Sequence, residues 1–143
     1  MSVTVDTNVL VYAANASDPV HEKAWDLIER LARGPELLFL FWPAIMGFLR
    51  ISTSTGIFSS PYSPDEALAA ITDLIERPHV RTPSEAPGFL DLYRATATGG
   101  TRGRLVPDAH VAALMLQHGV GVIYTRDRGF RRFDGISVRD PFA

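Results

Sequence analysis

The sequence has no cysteine, which excludes a disulfide framework and a thiolate metal site and gives no reason to invoke an oxidising compartment. It has no basic N-terminal stretch followed by an apolar run and a small-residue cleavage site. Nor does it have anything near the ~18 consecutive apolar residues of a membrane span, so the expectation is a cytoplasmic protein. Internal repeats, low-complexity tracts and long linkers are also missing, and 143 residues suit a single domain, residues 1–143, able to bury a substantial core. No glycine-rich phosphate loop follows the first apolar stretch, which weakens a nucleotide-binding reading.

What is present is an ordinary globular composition with an uneven charge distribution. Residues 1–98 carry 7 basic against 12 acidic side chains, and residues 99–143 carry 7 against 4, all seven of the latter being arginines. Such a segment suits phosphates or an acidic partner, or forms a solvated face.

Hydrophobic patterning alternates strands with helices. Val3-Thr4-Val5 reads as a buried strand ending on Asp6, with a short apolar helix after Thr7 and Asn8. Asp18-Pro19 has the form of a helix cap with proline in the first turn, and Gly34 closes that helix. Residues 37–41 form an apolar strand that Trp42-Pro43 ends, and a helix follows through Ile45, Phe48, Leu49 and Ser52. Ser63 and Glu66 make a capping box for a helix burying Leu68, Ile71, Leu74 and Ile75. His79-Val80-Arg81 is a short strand, and Thr82 with Glu85 makes a second capping box, for a helix through Phe89, Leu92, Tyr93 and Thr96. A basic loop at 98–106 precedes a helix opened by Pro107-Asp108, apolar enough to be buried on more than one side, with Gly119 after it. Residues 120–124 form an interior strand, 127–133 a short helix or turn, and 136–138 a last strand. This order predicts an α/β fold, a parallel sheet of about five strands with helices on both faces.

Topology then links three acids. In right-handed β-α-β units each helix starts at the carboxyl end of a strand, and the next strand ends at the same level. Asp108 starts a helix and Asp127 follows the next strand, so both lie on one rim; Asp6 joins them if its strand is central and parallel. Taken singly, Asp108 suits a helix N-terminus, Asp127 a turn, and Asp6 local hydrogen bonding. Together, with no lysine nearby, three carboxylates would repel unless they took up protons or a cation. Mg²⁺ or Mn²⁺ suits oxygen ligands with open positions for phosphate. His110, just beyond Asp108, reads as a surface or rim residue satisfied by a partner, with a catalytic or supporting role in the site as the alternative.

These residues resemble the PIN-domain nucleases, and more closely the VapC toxins of bacterial toxin–antitoxin pairs. The matching stretches are Asp6-Thr7-Asn8-Val9-Leu10-Val11-Tyr12, Trp42-Pro43 with Phe48-Leu49-Arg50-Ile51, Leu105-Val106-Pro107-Asp108-Ala109-His110, and Tyr124-Thr125-Arg126-Asp127. The resemblance implies a PIN-like three-layer sandwich and a Mg²⁺-dependent endoribonuclease that cuts structured RNA such as tRNA or rRNA and is blocked by a cognate antitoxin. It further implies that Asp6 and Asp108 are metal ligands, that Asp127 completes the catalytic site, and that Asn8 and Thr125 are polar supports. Two positions depart from the pattern: Gly47 stands where the family usually has a glutamate, and Gly129 where a further acid is common. Gly47 costs about 1 kcal/mol relative to alanine inside a helix, so tight packing or room at the rim would favour it.

Arg102, Arg104, Arg126 and Arg128 are candidates for contact with the RNA backbone; apolar residues on the middle helices, and Phe58 or Tyr62 if exposed, suit a homodimer contact and equally suit a core. Two other readings stay open. One is a PIN fold that has lost turnover through Gly47 and Gly129 and still binds RNA or antitoxin; the other is a phosphoacceptor or nucleotide-binding α/β domain.

Overall fold

The structure is a computed structural model that describes residues 2–143. Its centre is a five-stranded sheet in which every neighbouring pair is parallel. The strands are β1 (Ser2–Val5), β2 (Leu37–Phe39), β3 (Val80–Arg81), β4 (Val122–Tyr124) and β5 (Ser137–Arg139), in the order β3-β2-β1-β4-β5. The helices are α1 (Thr7–Ala14), α2 (His21–Ala32), α3 (Trp42–Ser52), α4 (Pro64–Ile75), α5 (Phe89–Thr96) and α6 (Val106–Gln117). Two 3₁₀ turns, Gly103–Leu105 before α6 and Arg128–Arg132 after β4, complete the elements. Among the described residues no helix is long and apolar enough to cross a membrane.

The period-2 alternation of the strands divides the core in two. Val3, Val5, Leu38, Leu40 and Val122 point into one apolar cluster with α1, α2, α3 and α4. Phe41, Ile123 and the buried face of α6 form the other, with Phe130 and Phe133, and Phe39 packs against it. Sheet residues buried on both faces explain the near-continuous apolar runs. Thr4 is the fully buried polar residue of β1, and its hydroxyl donates to the Phe39 carbonyl at 2.6 Å. Helix α6 buries Ala109, Val111, Ala112, Ala113, Leu114 and Met115, in keeping with its all-round apolar sequence.

Local details depart from the sequence reading in four places. Helix α2 starts at His21, because Asp18 Oδ1 accepts from the Val20 amide at 3.0 Å and forms a turn before the helix instead of capping it. In α4 the buried residues are Ala67, Ile71 and Leu74, spaced four and three apart; Leu68 lies one helical step off that stripe and is 49% exposed. The second capping box does not form. A helix capped at Thr82 would carry Pro87 in its interior, where the ring clashes with the carbonyl four residues back, and α5 instead opens at Phe89 after Gly88. Phe58 is buried in the core and Tyr62 half-buried with its hydroxyl on the Ala14 carbonyl at 3.0 Å, so of the two uses open to them the core holds and the exposed dimer contact does not.

The first capping box is complete: Ser63 Oγ accepts from the Glu66 amide at 3.1 Å, and Glu66 Oε1 accepts from the Ser63 amide at 3.0 Å. Ser63→Ala should therefore lower stability by about 1 kcal/mol, read as a shift in the denaturant midpoint at unchanged m-value.

Candidate functional site

From β1 the chain moves outward through β2 to β3, then returns to the other side of β1 for β4 and β5. The strand order thus reverses between β1 and β4, where open parallel sheets form their ligand crevice. Asp6 and Thr125 stand at the carboxyl ends of those two strands. The Asp6 amide donates to the Tyr124 carbonyl at 3.0 Å, continuing the strand pairing into the rim.

Asp6 has extended backbone and precedes α1 as its cap. Its Oδ1 accepts from the Thr7 amide at 2.8 Å and its Oδ2 from the Thr125 hydroxyl at 2.9 Å. Thr125 is buried, and its Oγ1 also accepts from the Asp127 amide at 2.9 Å and from Asn8 Nδ2 at 3.5 Å. One hydroxyl therefore links Asp6, Asn8 and Asp127. Asp127 Oδ1 accepts from the Gly129 amide at 2.8 Å and so caps the 3₁₀ turn that carries Phe130 into the core. Asn8 Oδ1 is buried with no hydrogen-bond partner among the described residues.

Asp108 lies in the first turn of α6, with proline beside it at the helix start. Burial first, then the negative charges of Asp127 and Asp6 and a hydrogen bond with Asp127, raise its pKa from 3.8 to about 7; Arg132 works against the rise. Asp6 is raised too, chiefly by burial, while the bonds from Thr125 and Thr7 pull the other way. The expected mutual repulsion of the three acids is thus present in the fold. Asp6 and Asp108 both line a cavity of about 870 Å³ between α1, α3 and the start of α6. Asp127 stands just outside this lining, at the rim. Among the described residues, no three His, Asp or Glu side chains surround a single point as a ready-made cage. Two carboxylates and retained waters are the usual protein share of a Mg²⁺ site, so this donor set fits such an ion without a cage.

Gly47 faces the same cavity, and its neighbour explains the missing glutamate. A Cβ on Gly47 would lie 2.8 Å from Thr7 Oγ1 and 3.0 Å from Thr7 Cγ2, closer than atoms pack. Glycine here lets α3 close on α1, which is the tight-packing alternative for this position. Gly47→Glu should accordingly not act as a simple restoration. Overpacking against Thr7 should outweigh the helix-propensity gain and cost about 1–3 kcal/mol, and adding Thr7→Ala should recover part of the melting temperature. Gly129 spends its amide on Asp127, and its own Cβ position is 3.0 Å from Asp127 Oδ1.

The four candidate RNA-binding arginines do not line the cavity. Arg126 lies over the rings of Tyr12 and Phe142, at 5.5 and 5.4 Å from their centroids. Arg102, Arg104 and Arg128 are exposed on the flanking loops. The cavity arginine is Arg50, which composition alone did not single out, and Arg132 is the one whose charge reaches Asp108. Sequence reasoning also missed Glu85. Instead of capping a helix it lines the cavity, with Oε2 2.6 Å from His110 Nε2.

Residues 3–136 match the PIN domain family, and the chain belongs to that family. Within it the relatives are VapC proteins. The chain is 46% identical to the ribonuclease VapC48 of Mycobacterium tuberculosis over 144 residues, covering 100% of this chain and 99% of that protein. It is 34% identical to the ribonuclease VapC43 of the same species, covering 96% and 93%. Among solved structures, the fold is similar to that of VapBC2 from Rickettsia felis bound to a promoter DNA fragment (TM-score 0.70, 15% identity, 97% and 98% of the two chains). It is also similar to VapC20 of Mycobacterium tuberculosis, a toxin that cleaves the sarcin-ricin loop (TM-score 0.67, 19% identity, 94% and 98%).

Proposed function

We propose that the protein is a divalent-metal-dependent endoribonuclease, the toxin of a toxin–antitoxin pair, acting in the cytoplasm on structured RNA. The observation that carries this reading is the presence of Asp6 and Asp108 in one cavity at the switch point of the sheet. The 46% identity to a VapC ribonuclease along the full chain supports it. Asp6 and Asp108 would hold the ion, Mg²⁺ with Mn²⁺ as a substitute, and Asp127 would complete the site at its edge. When bound, such an ion polarises the phosphate, lowers the pKa of water and stabilises the leaving oxygen.

The residues of the chain supply the rest. Thr125 fixes the Asp6 carboxylate and the Asp127 backbone with one hydroxyl, so two acids keep their spacing as charge is taken up. Asn8 Nδ2 donates to the same Thr125 hydroxyl and supports it from the start of α1. Asp108 holds a proton more tightly than an ordinary carboxyl, so a cation held there would compete with that proton and would bind more strongly as pH rises through about 7. Arg50 is the cationic side chain within the cavity, placed for a phosphate beside the reacting one; Arg102, Arg104, Arg126 and Arg128 serve longer RNA on the surrounding surface. A single-stranded loop of tRNA or rRNA is the substrate class, because only unpaired bases can splay to bring the backbone into such a crevice. The partner is a cognate antitoxin protein, and a homodimer is the working assembly.

The test is cleavage of total RNA by the purified chain with Mg²⁺, with Mn²⁺ and with chelator. Cutting that requires the ion supports the proposal. Ion-independent cutting would overturn the metal dependence, and RNA binding with no cutting under any condition would favour instead the binding-protein reading that Gly47 and Gly129 motivate.

A further inference from the structure

Residues 82–88 form no helix, yet they are fixed. The Ala86 amide donates to Gln117 Oε1 at 2.8 Å and Gln117 Nε2 donates to the Ala86 carbonyl at 3.0 Å, a two-way clasp onto the end of α6. His118 Nε2 contacts the Ser84 carbonyl at 2.8 Å beside it. Between these anchors Glu85 reaches His110 at 2.6 Å and lines the cavity shared by Asp6, Asp108 and Gly47. The His110 ring is itself packed edge-on against Phe89, 5.6 Å between centroids, which limits its rotation. A carboxylate is thereby delivered to a cavity from which the α3 position contributes no side chain. The contact with His110 holds the Glu85 pKa below the ordinary carboxylate range, so the group is charged at neutral pH.

We propose that Glu85 is a positioning residue of the cation site, held by His110 and acting on the hydration shell of the ion carried by Asp6 and Asp108, in place of the glutamate absent at position 47. The inference rests on the metal-dependent reading above. Divalent ions of the Mg²⁺ type keep several waters, and carboxylates that orient those waters contribute to affinity without touching the metal. His110 then acts through Glu85 and not on the ion.

The test is Mn²⁺ binding to the full chain without RNA, followed by electron paramagnetic resonance of the free ion and by calorimetry. Glu85→Gln should weaken Mn²⁺ affinity about tenfold while leaving the metal-free melting temperature nearly unchanged. His110→Ala is the discriminating variant. Removing a side chain that can carry positive charge should tighten cation binding if only net charge matters, whereas loss of the Glu85 anchor should weaken it. The double variant should lose no more than Glu85→Gln alone. Unchanged affinity in Glu85→Gln, tighter or unchanged binding in His110→Ala, or an additive double variant would each overturn the proposal. Asp6→Asn separates the two levels: if it too leaves Mn²⁺ binding intact, the metal site itself is misassigned, and if it alone abolishes binding, only the role of Glu85 fails.

Discussion

Asp6→Asn should reduce RNA cleavage by about a thousandfold or more and abolish Mn²⁺ binding, with the fold intact. The substitution keeps the size of the side chain and an oxygen to accept from the Thr7 amide, so the start of α1 is preserved. It removes a charge from a site where only Asp6 and Asp108 line the cavity as carboxylates of the switch-point rim. Where the family pattern has further acids, this chain has Gly47 and Gly129, so no neighbouring acid on α3 or after Asp127 replaces the loss. Losing the several kcal/mol that a bound ion gives the transition state corresponds to that drop in rate. The measurement is single-turnover cleavage beside circular dichroism; a folded variant that cuts at more than a tenth of the wild-type rate would sink the assignment of Asp6.

Metal-free protein should lose stability as pH rises from about 5 to 7.5, the reverse of the usual behaviour of paired carboxylates. In the unfolded chain Asp108 gives up its proton near 3.8, and in the folded chain near 7. Between these values the folded state binds more protons, so each step upward in pH favours unfolding. Asp6, also raised, acts in the same direction. Glu29 and Glu85 are lowered, by Arg77 and by His110, and their contribution is lost only as pH falls below the ordinary carboxylate range. The stability maximum should therefore lie on the acid side of neutrality. Mn²⁺ should raise the melting temperature more at pH 7.5 than at pH 5, because it competes with the proton for Asp108. Asp108→Asn should flatten the slope and raise the metal-free melting temperature at pH 7.5 by a few degrees, about 2–4 °C per kcal/mol. Thermal melts in chelator across pH 5–8 decide this; a curve that climbs steadily to pH 7.5 contradicts it.

Much of this site is written locally. Asp6, Asp108 and Asp127 each adjoin a strand end or helix start that hydrophobic periodicity marks, and the handedness of parallel crossovers then places all three on one rim. The remainder depends on partners far apart in the chain. Glu85 carries the local signature of a capping box, and its real role is set by His110, 25 residues away, and by the clasp of Gln117 on Ala86 beside it, across 31 residues. Leu68 reads as core until Ala67 takes the buried stripe one step earlier. Gly47 is an anomaly on paper and becomes intelligible only when Thr7, on another helix, is seen pressed against it. The arginine-rich tail shows the opposite limit, since counting charges finds its arginines but not Arg50, the one inside the cavity.

The bond from Thr125 to Asp6 joins residues 119 positions apart. A growing polypeptide therefore adds Asp6 well before Thr125, and until Thr125 arrives the carboxylate has only the neighbouring Thr7 amide to accept from. At synthesis rates of about 5–20 residues per second, that interval is on the order of ten seconds. Closing so long a loop is also among the slow events of folding. For that interval the carboxylate lacks the hydroxyl that fixes it, and the rim that ties Asp6 to Asp127 is incomplete on the growing chain.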